Sequence, residues 1–206
     1  TMSRSVSILL LCEDKQARVF VESVLEQIDP SLLRRLRVVP FPVTGRTGTA
    51  QGLVDGYKVY PCGSMHIREN YPQLVSQRRQ NAGRFRAMGC RLIVQIDVDN
   101  SEKSPRSVAD RRAELVRACE AQKITPPAAN EPVAHLIPRR NIETWIVFGN
   151  SGQPVDEGTE YPHLTGHESD CAPAARRFAD ECKTNQPSAL APPSWTFGLS
   201  ELRKVL

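Results

Sequence analysis

No run of apolar residues in this chain approaches the roughly 20 needed to cross a bilayer, so no helical membrane span is expected. The longest, Val6 to Cys12, is interrupted by Ser7 and stops at Glu13. A cationic leader with a small-residue cleavage site is missing as well, which makes a cytoplasmic protein the expectation. Thr1 precedes Met2, and the native chain is expected to start at Met2. The six cysteines (Cys12, Cys62, Cys90, Cys119, Cys171 and Cys182) form no CxxC pair. In a cytoplasmic protein they read as reduced thiols packed like small hydrophobes, with Cys12 and Cys90 in or beside buried strands. No GxSxG is present, and no cysteine has a local partner for Cys/His hydrolysis. The glycines between Thr44 and Gly63 match neither GxGxxG nor GxxxxGK[ST], so that segment is assigned to loop without a nucleotide role.

What the chain does contain is enough for one sizeable domain: 206 residues, 40% hydrophobic and 24% charged. The net charge of +4 is unevenly spread. Acids are absent between Tyr71 and Ile96, where Arg78, Arg79, Arg84, Arg86 and Arg91 stand together. Arg34, Arg35 and Arg37 form a second cluster, Arg139 and Arg140 a third. Planar guanidinium groups grip phosphate through paired hydrogen bonds, so the clusters suggest a polyanionic partner; a solvated helix face gives the same pattern.

Apolar periodicity sets the elements. Val6–Cys12 reads as a strand buried on both faces, and Lys15–Ile28 carries Ala17, Phe20, Val21, Val24, Leu25 and Ile28 at helical spacing. Val38–Val43 reads as a second strand, placed at an edge or kept short by Pro40 and Pro42. Gln73–Met88 looks helical, Arg91–Ile96 is the strongest strand signal, and Ser107–Gln122 is again helical. Val133–Ile137 and Ile142–Phe148 are further apolar runs. Alternation of this kind predicts an α/β fold, a mainly parallel sheet flanked by helices. Residues 2–149 are expected to form the main domain and 150–206 a small helical extension packed on it, with helices over Ala172–Lys183 and Gly198–Leu206.

In open α/β sheets, binding sites collect beyond the carboxyl ends of the strands. Two strands here end in acids: the first in Glu13-Asp14, the later one in Asp97-Val98-Asp99. Alternation in an extended segment would put Asp97 and Asp99 on one side. Converging carboxylates repel unless a cation joins them, and oxygen donors select Mg²⁺ or Mn²⁺. Asp14 or Asp99 could equally be a helix N-cap.

The segments ILLLCED, followed by the helix KQARVFVESVLEQ, and LIVQIDVDN resemble the Toprim family, whose pattern is a glutamate ending the first strand and a DxD ending a later one. The resemblance covers roughly Val6 to Phe148. It implies a Toprim-like, Rossmann-like sheet, with Glu13 as general acid/base or metal ligand and Asp97 and Asp99 holding Mg²⁺. Glu13 and Asp97 stand 84 positions apart, and Thr44–Gln73 reads as an insertion. Asp14 occupies the position where the family commonly has glycine. Arg139-Arg140-Asn141-Ile142-Glu143-Thr144-Trp145 is similar to the I-E-x-W stretch of small standalone Toprim-like proteins of bacterial defence loci. By that likeness Glu143 would be a fourth acid and Arg139 or Arg140 a phosphate contact; Glu143 also suits a cap or an arginine partner, and Trp145 suits the core.

Other chemistries fit less well. A receiver domain would end its third strand in an aspartate about half as far along as Asp97, and Asp55 lies in the glycine-rich loop. Dehalogenase-type phosphatases carry their DxD near the N-terminus and follow it with threonine. His163, His167, Cys171 and Cys182 offer soft ligands in a spacing that matches no standard zinc finger, so they read as a surface loop or a structural zinc site. Tyr57, Tyr60, Tyr71 and Tyr161 are expected in loops, and none is nominated as a topoisomerase nucleophile. The expectation is therefore a Mg²⁺- or Mn²⁺-dependent nuclease acting on DNA or RNA. Its catalytic acids are Glu13, Asp97, Asp99 and Glu143, and Arg78, Arg79, Arg84, Arg86, Arg139 and Arg140 bind the nucleic acid. The family likeness suggests a homodimer or a partner ATPase, and an effector of a bacterial antiviral defence system as the setting. The alternative is a non-catalytic, metal-binding regulatory subunit.

Overall fold

The computed structural model describes residues 8–38, 63–84, 90–99 and 105–206. Among them, strands and helices alternate as β1 (Ile8–Leu11), α1 (Lys15–Ile28), β2 (Leu36–Val38), α2 (Ser64–Arg84), β3 (Arg91–Gln95), α3 (Val108–Ala121), β4 (Val133–Leu136) and α4 (Ile142–Ser151), followed by α5 (Ala172–Thr184) and α6 (Pro193–Arg203). The strands pair in parallel in the order β2-β1-β3-β4, so the α/β class expected from the sequence is the one adopted.

The pleat divides the core in two. Ile8 and Leu10 of β1, Ile93 of β3, and Ala134 and Leu136 of β4 face one layer, built by α1, α4, α5 and α6. Leu9, Leu11, Leu92, Val94 and Val133 face the other, with residues from α2 and α3. Because both sheet faces are covered, the strands read as continuous apolar runs. Phe20, Trp145, Phe148, Phe178 and Trp195 interlock in the first layer, with ring centroids 4.6–6.2 Å apart. Residues 172–205 contribute to the same hydrophobic cluster as β1 and α1. Burying the aromatic faces of α5 and α6 against them removes more apolar surface from water than so short a tail could cover alone.

Helix α1 begins at Lys15, where the Oδ1 of Asp14 accepts from the amide of Ala17 at 2.7 Å. Ser107 and Asp110 close a reciprocal capping box at the start of α3. Several boundaries differ from expectation. Helix α2 starts at Ser64 and runs through Pro72, with Ile67, Tyr71, Leu74 and Val75 buried. Tyr71 is thus a core residue of a helix, not a loop residue. Packing of that face outweighs the hydrogen bond the proline cannot make. Helix α6 starts at Pro193 instead of Gly198. The second strand is displaced to Leu36–Val38 and lies at the sheet edge; residues 39–43 of the expected strand, residues 85–88 of the expected helix, and Cys62 and Arg86 lie outside the described residues. The Ile142–Phe148 run forms a helix buried nearly all round, the environment that removes amphipathic periodicity from a sequence.

Strand β4 is the other sheet edge, and α6 covers it. The backbone N–H of His135, which has no neighbouring strand to pair with, donates to Oε2 of Glu201 at 3.1 Å. The His135 ring bridges Glu201 and the hydroxyl of Tyr71, which lies 2.8 Å from Nε2. Among the described residues no helix is long and apolar enough to cross a membrane.

Candidate metal centre

Strand order reverses between β1 and β3, since β1 leads outward to β2 on one side while β3 leads to β4 on the other. Such a switch point opens a crevice beyond the carboxyl ends of the two strands. Three strand-to-loop junctions meet there. β1 ends in Cys12-Glu13-Asp14, β3 in Ile96-Asp97-Val98-Asp99, and β4 in Ile137 to Asn141 ahead of α4. The last two run side by side beyond the strands proper: the amides of Ile96, Val98 and Asp99 donate to the carbonyls of Leu136, Pro138 and Arg140 at 3.0–3.1 Å. That pairing carries Glu143, in the first turn of α4, to the acids of β1 and β3.

The carboxylates are held individually. Oε2 of Glu13 accepts from the amide of Asp97 at 2.6 Å. Oδ1 of Asp97 accepts from Nε2 of the buried Gln95 at 2.7 Å, and Oε1 of the same Gln95 accepts from the amide of Glu13 at 3.2 Å. Gln95 therefore ties the two strand ends together and aims Asp97, while the Asp97 amide aims Glu13. Glu143 is buried, its Oε1 lies 2.8 Å from Nδ1 of His163, and its Oε2 is buried with no hydrogen-bond partner.

The charges are mutually costly. Burial pushes the Glu13 carboxyl up to about 7, reinforced by the charges of Asp99 and Asp14, against the opposing pull of the Asp97 amide and Arg111. Burial raises Asp97 well above its ordinary value, and Glu13, Asp14, Glu143 and Asp99 all push the same way. Glu143 is likewise raised by burial, opposed by the bond to His163. An all-oxygen, net-negative donor set of this kind suits a hard divalent cation. In each of Glu13 and Asp97 one oxygen is oriented by the protein, leaving the other as a donor, the arrangement in which outer hydrogen bonds aim metal-binding carboxylates. The residues present thus fit Mg²⁺ or Mn²⁺ chemically. Among the described residues no three His, Cys, Asp or Glu side chains stand together as a ready ligand group.

Asp99 departs from the expected alternation. Its backbone is left-handed (φ 58°), and its carboxylate, 55% exposed, turns to Nη2 of Arg111 at 3.1 Å. Arg111 is 1% exposed and also donates to the carbonyl of Val98 and to Glu114. The two aspartates therefore do not project side by side: extended alternation fails where the chain enters a left-handed turn. Asp99 acts on Glu13 and Asp97 through its charge.

The arginines separate into two groups. Arg78 is buried against Glu131, and Arg79 grips the same carboxylate at 2.7 and 3.1 Å while donating to the carbonyls of Thr125 and Pro126. Glu131 stands two residues before β4, so this cluster lies at the amino-terminal edge of the sheet, opposite the acids. Arg78, buried, and Arg79, half-buried, are committed to Glu131 there, so this geometry lends no support to their expected nucleic-acid-binding role. Arg84 closes α2, and nothing of its side chain is described. Arg139 is exposed at the edge that carries the acids, and Arg140 pairs there with Glu160.

The soft ligands are scattered. Cys171 and Cys182 are buried in the aromatic layer, whereas His163 joins Glu143. Trp145 is core, its indole N–H donating to Ser194 at 2.7 Å. Two residues of the site, Gln95 and Arg111, escaped sequence reasoning, and His163 was read there as a soft ligand or a surface residue. Gln95 left a signal, a lone amide inside LIVQIDVD; Arg111 left none, since it reaches its partners only through the fold. Compared with known proteins, the chain matches no family model, no curated protein and no solved structure.

Proposed function

We propose that the chain is a Mg²⁺- or Mn²⁺-dependent nuclease of Toprim type, acting on DNA or RNA phosphodiesters. The observation that carries this reading is the meeting of Glu13 and Asp97, from distant segments, at the switch point of a parallel sheet, where burial raises both carboxyls. Glu13 and Asp97 would hold the metal, with Gln95 keeping Asp97 aimed and the Asp97 amide keeping Glu13 aimed. A divalent ion there neutralises phosphate and stabilises charge on an attacking or leaving oxygen. Arg139, exposed on the same edge, would contact the polyanion. The likeness to standalone Toprim-like proteins of defence loci makes an antiviral effector, acting in the cytoplasm as a homodimer or with a partner ATPase, the matching biological setting.

A non-catalytic, metal-binding regulatory subunit is the second reading. It is favoured by the commitment of Asp99 to Arg111 and of Arg78 and Arg79 to Glu131, which leaves less of the expected machinery available. Incubation with plasmid and with RNA in Mg²⁺ or Mn²⁺, beside Glu13→Gln and Asp97→Asn, separates the two. Metal-dependent cleavage lost in both variants supports the nuclease; intact substrate throughout, with metal still bound, supports the subunit.

A further inference from the structure

Among the described residues, the imidazole of His163 bonds an acid of the site, and its geometry is that of an oriented proton carrier. Nδ1 of His163 lies 2.8 Å from Oε1 of Glu143. Glu143 is fixed on α4 and its side chain is 2% exposed, whereas that of His163 is 62% exposed. A buried carboxylate bonded to one ring nitrogen sets the tautomer and turns the other nitrogen outward. Nδ1 is spent on Glu143, so Nε2 is the atom able to exchange a proton with a bound molecule.

Two further observations place this dyad within the site. The charge of Asp14 acts on Glu13, Asp97, Glu143 and His163 alike, so all four lie within electrostatic reach of one helix start. The backbone pairing of Asp99 with Arg140 sets the start of α4, and with it Glu143, beside the loop that carries Asp97.

The geometry points to His163 as the proton donor of the proposed phosphodiester cleavage, with Glu143 as the residue that orients it. The inference rests on the nuclease reading. Water oxygen bonds to phosphorus while the bond from phosphorus to the leaving oxygen breaks. The leaving oxygen takes the proton from Nε2, the attacking water gives its own proton to bulk water, and His163 is reprotonated from solvent. The charged form suits that task. Glu143 raises the imidazole above its ordinary value through its hydrogen bond and charge, burial opposes, and Asp14 and Glu160 add to the rise. Glu160 is itself paired with Arg140.

A leaving group that departs without a proton does not need the donor, and this decides the test. Wild type, His163→Ala and Glu143→Gln are assayed with Mn²⁺ on a plain oligonucleotide and on bis(p-nitrophenyl) phosphate, whose phenolate leaves unprotonated. His163→Ala is expected to slow oligonucleotide cleavage by about 100-fold or more, the usual scale of general acid catalysis. Hydrolysis of the nitrophenyl ester should change by less than about 3-fold. Added imidazole should restore oligonucleotide cleavage, and the variant should lose the alkaline limb of the wild-type pH profile. His163→Ala cutting oligonucleotide at the wild-type rate, or a loss unmoved by imidazole with the pH profile intact, overturns the assignment and leaves the nuclease standing. A folded wild-type protein that cuts neither DNA nor RNA overturns the nuclease reading itself.

Discussion

The amide of Asp97 donates to Oε2 of Glu13 at 2.6 Å across 84 positions of sequence. One carboxylate is thereby aimed by the backbone of the residue that carries the next, and Gln95 completes the circuit from beneath. The arrangement holds like charges close in a buried place. Its cost to the fold and its use to function should be separable by measurement.

Asp97→Asn tests that separation. The amide oxygen can still accept from Gln95, while one buried negative charge disappears. The variant is expected to melt higher than wild type in metal-free buffer, by about 1 kcal/mol in stability, as neutralised functional sites often do. It should at the same time lose cleavage and metal binding. A lower melting temperature with activity retained would remove Asp97 from the site.

The raised Glu13 carboxyl makes a pH signature. Its proton is released near 4.5 in the unfolded chain and near 7 in the fold. The folded state therefore binds the proton more tightly, and its stability is lost as pH rises from about 4.5 through 7. Without metal, Tm should be higher at pH 5.5 than at pH 8. Mg²⁺ should narrow the gap by stabilising the ionised form, and Glu13→Gln should flatten it. A gap that persists unchanged in Glu13→Gln assigns it elsewhere.

Arg79 and Arg139 should respond in opposite ways. Arg79→Ala removes a paired grip on Glu131 and two carbonyl bonds and is expected to cost about 2 kcal/mol of stability, with nucleic-acid affinity unchanged once folded. Arg139→Glu should leave stability within about 0.5 kcal/mol of wild type. Its affinity for nucleic acid at low salt should fall about 10-fold, with a shallower salt dependence. Fluorescence anisotropy on both variants decides between them.

Glu201 should govern acid stability. Burial works against its charge, but bonds from His135 and Lys204 prevail and hold the carboxyl down to about 2. A depressed acid contributes stability above its unfolded value of 4.5 and loses it as pH falls from there toward 2. Glu201→Gln should therefore destabilise by roughly 2 kcal/mol at pH 7, exposing the β4 edge, and by little at pH 2. Equal destabilisation at both pH values would show that the charge is immaterial.

Much of the fold was legible in residue order because its causes are local. Apolar period and the Asp14 cap define α1 at both ends, and the uninterrupted apolar runs of β1 and β3 announce strands covered on both faces. Local pattern failed where packing decides. Pro72 stays inside a helix because its neighbours are buried, and the all-apolar α4 carries no period to read.

For the site, the sequence by itself determined which carboxylates end strands, Glu13 and Asp97; Glu143 entered through the family likeness and lies in the first turn of α4. A strand followed by a turn leaves little choice of where such a residue lies. Only the tertiary structure decided how they are used. It joined Glu13 to Asp97 through Gln95, turned Asp99 to Arg111, buried Arg78 on Glu131 at the far edge, and brought His163 to Glu143. Those partners depend on contacts between segments far apart in the chain, and such contacts form only when the sheet and its covering helices exclude water from the polar groups they enclose.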